Sequence, residues 1–292
     1  MPPSVLYCCD PLNSRRVDGH FAAEAREVRA RGGLVALIDH DALLAGEIER
    51  AVKSVPAGLG PAWYRGWMIP SDRYSTLAQA LGRRGVGLVV VPEQYRAAHE
   101  LPGWYSTFAE LTPASVWCAG RAGQVPELAA LASLAVRLRP GPGIVKDYVK
   151  SRKHEWDEAC FIPDLSDTAG VARIVRRFVE LQGEFLAGGI VLREFEPFVA
   201  PQSVAAEVRV WWLDGRARLL TPHPDSVHSC SLTPELGGVE SAVRRLGCRL
   251  VTTDVALRSD GAWRVVEVGD GQVSDLHTSI EPAELVGLLL AG

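Results

Sequence analysis

LVTTDVALRSDGAWRVVEVGD, residues 250–270, consists of two apolar, β-branched-rich runs flanking Asp260-Gly261. An Asp-Gly pair between such runs marks a two-residue type I′ hairpin turn. That turn sets a register in which Ser259 faces Ala262, Arg258 faces Trp263 and Asp254 faces Glu267. Directly opposed side chains sit roughly 4.5–5.5 Å apart at Cβ, where like charges repel. Two carboxylates so placed call for a cation, and a divalent ion with oxygen ligands, most simply magnesium, supplies it. The alternatives are that one acid faces solvent or that a longer loop shifts the register. Gly269-Asp270-Gly271 follows and offers a third carboxylate, Asp270, on a flexible turn.

The rest of the chain sets the bounds. Its 292 residues suffice for a large core and two domains, and 47% hydrophobic with 23% charged residues is ordinary for a globular protein. A net charge of −4 with no long basic run argues against a nucleic-acid partner. MPPSVLYCCDPL lacks a basic leader, and no apolar run approaches the roughly 18 residues of a membrane span. The six cysteines show neither CxxC pairs nor metal-ligand spacing, so reduced, buried thiols in a cytoplasmic protein are expected. Only four lysines occur, Lys53, Lys146, Lys150 and Lys153, and three of them fall within eight residues.

Residues 1–95 alternate short apolar strands (SVLYCCD, LVALIDHD, AWYRGWMI, GLVVVP) with helices at 21–32, 41–53 and 71–84. This predicts a parallel, helix-covered α/β lobe. Beyond an aromatic, turn-rich stretch and a helix near 126–138, GIVKDYVK and EWDEACFI read as strands around the turn SRKH. A helix capped by Ser166 or Asp167 runs to Ala187, and GGIVLREFEPF returns as a strand. EVRVWWLDGRARLL reads as a hairpin with Asp214-Gly215 at its turn, and a helix near 234–246 leads into the opening stretch. LVGLLLAG at 285–292 reads as the end of a core helix.

Lys146 and Lys150, four apart on a predicted strand, share a face, with Ser151 and Lys153 in the turn beyond. Crowded cations favour an anion such as phosphate over them; the alternative is a solvated edge strand guarded by lysines.

In this order the parts resemble the ATP-grasp superfamily: a lysine-bearing strand and turn, a helix, the strand IVLREFEPF, a Glu-x-Arg strand (Glu207, Arg209), then Asp254 and Glu267. The resemblance covers residues 96–292. It is nearest to a divergent, poorly characterised group in which arginine replaces one of the usual two lysines. It implies an ATP-grasp fold with a small lid at 143–200, bound ATP and Mg2+, and substrates supplying a carboxylate and an amine, small molecules or peptides. It implies that Lys146 lies along the α/β-phosphates, with Lys150 and Ser151 in the lid turn and Arg193 as the second phosphate cation. Backbone groups around Glu194 and Phe195 would hold adenine, Glu196 the ribose hydroxyls, and Arg209 the γ-phosphate. Asp254 and Glu267 would hold magnesium, and Asp270 stands in where the family commonly has asparagine two residues beyond the glutamate, a place taken here by Gly269. The usual earlier lysine is missing.

GxxxxGK[ST] is absent, which excludes a P-loop. Asp39-His40-Asp41 reads as a turn and helix cap, and His223, His228 and Cys230 as a polar loop. Arg65, among Trp63, Tyr64, Trp67 and Met68, reads as part of a domain interface. The function expected is an ATP-dependent carboxylate–amine ligase, with a homodimer compatible. The alternatives are a phosphotransferase, a nucleotide-binding module without turnover, and a hydrolase using Asp254, Glu267, Asp270 and His277.

Overall fold

The computed structural model describes residues 3–198, 207–225 and 233–291. They form two compact units that interleave in sequence: Met1–Ala98 with Ala200–Val255 and Val268–Gly292, and His99–Val199 with Ala256–Glu267.

In the first unit β1 (Ser4–Asp10) is followed by β2 (Asn13–Val17), α1 (Ala22–Ala30) and β3 (Leu34–Ile38). Then come α2 (His40–Leu44), α3 (Ile48–Ala51), β4 (Gly60–Arg65), α4 (Ser71–Arg83), β5 (Val86–Leu88) and α5 (Pro92–His99). The predicted parallel sheet is present: β1 lies between β3 and β4, with β5 beyond β4, all parallel. Val5, Leu6, Tyr7 and Cys8 of β1 are fully buried, as a central strand covered on both faces demands. The helix expected over 41–53 is instead two short ones, because the chain turns at Gly46 with φ 83°. AWYRGWMI stops being a strand at Arg65.

The second unit contains α6 (Leu101–Phe108), β6 (Ser115–Ala119), α7 (Leu128–Ala135) and β7 (Gly143–Lys146). It continues with α8 (Trp156–Ala159), β8 (Phe161–Ile162), α9 (Thr168–Gln182) and β9 (Gly189–Glu194). The sheet order is β6-β9-β7-β8, every pair antiparallel. Val116, Val145, Ile190 and Leu192 alternate onto one face and pack with Leu131, Val175 and Phe178 into a single core. Two expectations fail here. GIVKDYVK is a strand only to Lys146, and EWDEACFI is largely the helix α8, leaving two strand residues. The long helix begins at its predicted cap, Asp167, whose carboxylate accepts from Gly170 N at 3.1 Å. It ends before Gly183, at φ 54°, rather than at Ala187.

The chain continues through β10 (Glu207–Leu213), β11 (Arg216–Pro222), α10 (Gly237–Leu246), β12 (Leu250–Leu257), β13 (Trp263–Asp270) and α11 (Pro282–Ala291). The strands form a sheet in the order β11-β10-β12-β13. The Asp214-Gly215 turn is the predicted one: Leu213 pairs with Arg216, and both turn residues have positive φ, 49° and 72°. The Asp260-Gly261 turn is not. Arg258 N donates to Ala262 O at 2.9 Å, and Gly261 N to Arg258 O at 2.9 Å. This closes a three-residue loop with Gly261 at φ 86°, and Arg258 faces Ala262 instead of Trp263. The register argument from this turn to Asp254 and Glu267 fails at its first step. As expected of a core helix, α11 buries Leu285, Val286 and Leu289.

Candidate active site

Lys146 ends β7, and the structure shows why the strand stops there. Asp147, fully buried, folds the next residues into a turn: its carboxylate accepts from Val149 N at 2.7 Å and Lys150 N at 2.5 Å. Its other oxygen accepts from Gln182 Nε2 at 2.8 Å and Ala187 N at 3.1 Å. Four donors satisfy a charge that burial would otherwise penalise. Lys150 is therefore in the turn and exposed, not on the strand beside Lys146, while Ser151 forms a lone bridge back to Lys146. Sequence reading missed Asp147; the signal was an aspartate placed to accept from the amides two and three residues on.

The register of β6, β9 and β7 aligns Ser115, Arg193 and Ile144 across the sheet. Lys146, two residues beyond Ile144, shares the face of Arg193, opposite the hydrophobic core. The Lys146 side chain is 2% exposed, and its ammonium donates to Glu267 Oε1 at 2.9 Å and to Val149 O at 3.3 Å. Arg193 donates from Nε to Ser115 Oγ at 2.9 Å and from Nη1 to Val266 O at 2.7 Å, and lies 5.7 Å over the Trp104 ring. Its Nη2 is buried with no hydrogen-bond partner among the described residues. Burial pushes this guanidinium below its ordinary pKa, with Glu267 opposing the shift. A buried cationic donor without an acceptor fits an anion such as phosphate.

The next residues are more committed than the resemblance implies. Glu194 N and Phe195 N donate to Ala114 O and Pro142 O, each at 2.9 Å. The Glu194 carboxylate is buried, which would raise its pKa, yet three bonds from Arg139 hold it below its usual value. Both oxygens of Glu196 accept from Arg264 at 2.9 Å, and Arg258 adds a contact at 3.3 Å. Phe195 meets Trp156 and Phe161 edge-on, and those two rings stack at 5.3 Å.

In the other unit, Arg209 grips Asp254 with Nε to Oδ1 and Nη2 to Oδ2, both 2.8 Å, and donates to Asp275 O at 2.9 Å. His223 Nε2 lies 3.6 Å from Asp254 Oδ2 and 4.0 Å from Glu207 Oε1. Its Nδ1 accepts from Asp225 N at 3.2 Å, which places the ring proton on Nε2, toward the two carboxylates. The polar-loop reading therefore missed a Glu207–His223–Asp254 cluster that only the strand pairing assembles; His228 and Cys230 lie outside the described residues. Asp270 Oδ1 accepts from Gln272 N and Nε2, while Oδ2 is buried without a partner among the described residues, and burial raises this carboxyl to about 7.

Two further expectations are resolved. Asp39 caps α2 by accepting from Ala42 N at 2.9 Å, as a turn and cap should. Arg65 joins two sequence segments as expected of an interface residue, but inside one compact unit: fully buried, it pairs with Glu24 through two bonds of 2.8 and 2.9 Å and holds Gln272 O and Ser274 O.

The order of these residues along the chain, lysine, arginine, a Glu-x-Arg strand and acidic strand residues, is the order that resembles the ATP-grasp superfamily. The chain belongs to that family: residues 131–289 match the ATP-grasp domain of the arginine-replacing-lysine clade, family 3. No curated protein matches it. Among solved structures it is similar to a RimK domain protein ATP-grasp from Sphaerobacter thermophilus DSM 20745, at 16% identity and TM-score 0.60, covering 99% of this chain and 100% of that one. It is similar to the ATP-grasp ligase PsnB complexed with minimal precursor, Mg and ADP, at 15% identity and TM-score 0.57, covering 99% and 97%. D-cycloserine synthetase DcsG matches at 15% identity and TM-score 0.62, covering 100% and 99%. These likenesses establish the fold. Among the described residues no helix is long and apolar enough to cross a membrane.

Proposed function

We propose that this protein is an ATP-dependent carboxylate–amine ligase of the cytoplasm. The observation that carries the reading is the sheet face bearing Lys146 and Arg193, two buried cations of which one keeps an unpartnered donor nitrogen. Lys146 and Arg193 bind the polyphosphate, Lys150 and Ser151 line it from the turn, and the Glu194–Glu196 segment lies along the nucleoside. Arg209 meets the γ-phosphoryl group, where charge shifts during transfer.

The residues suited to magnesium are the carboxylates Asp254, Glu267 and Asp270, hard oxygen donors of which Asp270 retains an unpartnered oxygen among the described residues. Magnesium at these carboxylates would supply charge neutralisation at the phosphates. The substrate carboxylate attacks the γ-phosphorus and ADP leaves; an amine then displaces phosphate from the acylphosphate. No protein nucleophile is needed, because positioning and electrostatics carry both steps.

The test is ADP release across a panel of amino acids and peptides, with mass spectrometry of products. A condensed product supports the ligase. A phosphorylated product without condensation assigns a phosphotransferase, and neither product leaves a nucleotide-binding module.

A further inference from the structure

Lys146, a proposed phosphate cation, is ion-paired with Glu267, a proposed metal ligand, at 2.9 Å, with the lysine side chain 2% and the glutamate side chain 36% exposed. The other unit repeats the pattern independently, with Arg209 bidentate on Asp254 and those side chains 12% and 6% exposed. In each unit the cation meant for the polyphosphate is already bound to the carboxylate meant for the metal.

Such pairing has a thermodynamic consequence. A pair with one buried member is costly to open when that member is left alone, because it keeps its desolvation penalty without its partner's field, while the half-exposed partner meets repulsion from any like charge brought beside it. Metal-free nucleotide recruits the lysine and strands Glu267 beside a polyanion. A divalent cation alone recruits the glutamate and strands the lysine. When both arrive, each member of the pair exchanges one partner for another and neither charge is left unpaired.

We propose that the Lys146–Glu267 ion pair is a specificity determinant that makes the site accept nucleotide and divalent cation together and reject either alone. This rests on the nucleotide reading above and goes beyond it by assigning Glu267 a second role, that of guarding the lysine against metal-free nucleotide. Linkage requires the selectivity to be reciprocal: metal strengthens nucleotide binding by the factor by which nucleotide strengthens metal binding.

The test is a double-mutant cycle read by calorimetry, with ADP in EDTA as the probe. Coupling between ligands of this kind typically amounts to about 5- to 150-fold. Glu267→Gln keeps the side-chain shape, releases Lys146 and should tighten metal-free ADP binding by about 10-fold, within that range. In a Lys146→Met background the same substitution should change the affinity by less than about 2-fold, because no pair remains to break. A gain that persists undiminished in that background is simple charge repulsion and overturns the proposal, as does the absence of any gain.

Mn2+ alone, followed by electron paramagnetic resonance, gives the reciprocal arm. Lys146→Met should bind Mn2+ more tightly than the wild type, and the gain should vanish with Glu267→Gln; an unchanged Mn2+ affinity in Lys146→Met overturns the exchange. Folding of each variant is checked by circular dichroism, and the doubly neutral Lys146→Met/Glu267→Gln protein carries no unpaired buried charge at this site. Wild type that binds ADP with Mg2+ but shows no cycle coupling refutes the exchange alone. Wild type that binds ADP under no condition refutes the nucleotide reading together with it.

Discussion

Arg209 holds Asp254 in a two-pronged contact, Nε to Oδ1 and Nη2 to Oδ2, both at 2.8 Å. The pair is buried, and the arginine's remaining nitrogen is tied to Asp275 O, so its plane is fixed before any substrate arrives. Arg209→Ala leaves Asp254 buried with only the His223 ring, 3.6 Å away, for a partner, and thermal or urea unfolding should show a loss of about 3 kcal/mol. Arg209→Lys restores charge without the fork. It should recover part of the stability while ATP turnover stays down by roughly 100-fold or more. Full turnover in the lysine variant would remove Arg209 from the chemistry.

Lys146→Ala should weaken Mg2+–ATP binding by about 10-fold or more, the scale of a charge-assisted contact in a shielded site. Lys53→Ala, on an exposed residue remote in sequence from the cluster, serves as the control and should bind as the wild type does. Equal nucleotide affinity in the wild type and the Lys146 variant would refute the assignment.

Asp147 is the residue whose loss should be felt most locally. Asp147→Ala removes the acceptor for four donors, two of them in the turn after Lys146. Urea titration should register about 2–4 kcal/mol of destabilisation. Amide exchange at 148–151 should accelerate more than in the β6–β9 ladder; uniform acceleration would mean that the turn holds itself.

Burial lifts the Asp270 carboxyl to about 7, against about 3.9 for an exposed aspartate. Between roughly pH 4 and pH 7 the folded chain keeps a proton that the unfolded chain releases, so stability falls as pH rises across this window and levels off above it. The full effect is on the order of 4 kcal/mol. Asp270→Asn removes the titration. In EDTA the variant should match the wild type near pH 4 and exceed it at pH 8, and parallel stability–pH curves for the two proteins would contradict this.

The proposed lid at 143–200 has its own measurement. Hydrogen exchange with and without a non-hydrolysable ATP analogue and Mg2+ should show strong new protection at 150–153 when nucleotide binds, because a closing turn shields an acylphosphate from water. Equal exchange in both states, with protection only near 254–267, would mean binding without closure.

Two Asp-Gly turns show how far the sequence could be read. At Asp214-Gly215 both residues take positive φ and the expected two-residue hairpin forms. At Asp260-Gly261 only the glycine does, and Arg258 reaches across to hold the Asp260 carboxylate at 3.0 and 2.6 Å. Both loops need a glycine with positive φ after the aspartate, so the dipeptide alone does not distinguish them; a side chain two residues upstream does. The lysine cluster and the order of acidic and basic strands were legible because composition and order are properties of the chain. The extent of β7 was not fully legible: Asp147 turns the chain by accepting from Val149 N and Lys150 N, a local signal, but its burial depends on partners at 182 and 187. Nor was the Glu207–His223–Asp254 cluster, which only strand pairing assembles.

Gly188 sits at φ 73°, and a β-carbon there would lie 2.1 Å from the Tyr148 ring, inside the turn that Asp147 organises. Tyr148 N in turn donates to Ala187 O at 3.1 Å, and Arg152 reaches Gln182 Oε1 at 3.2 Å. The lysine turn and the 182–188 connection are therefore cut to one template. A protein engineer who transplants residues 146–152 from a relative to change substrate scope will have to carry 182–188 along with them, because neither piece has a shape of its own to bring.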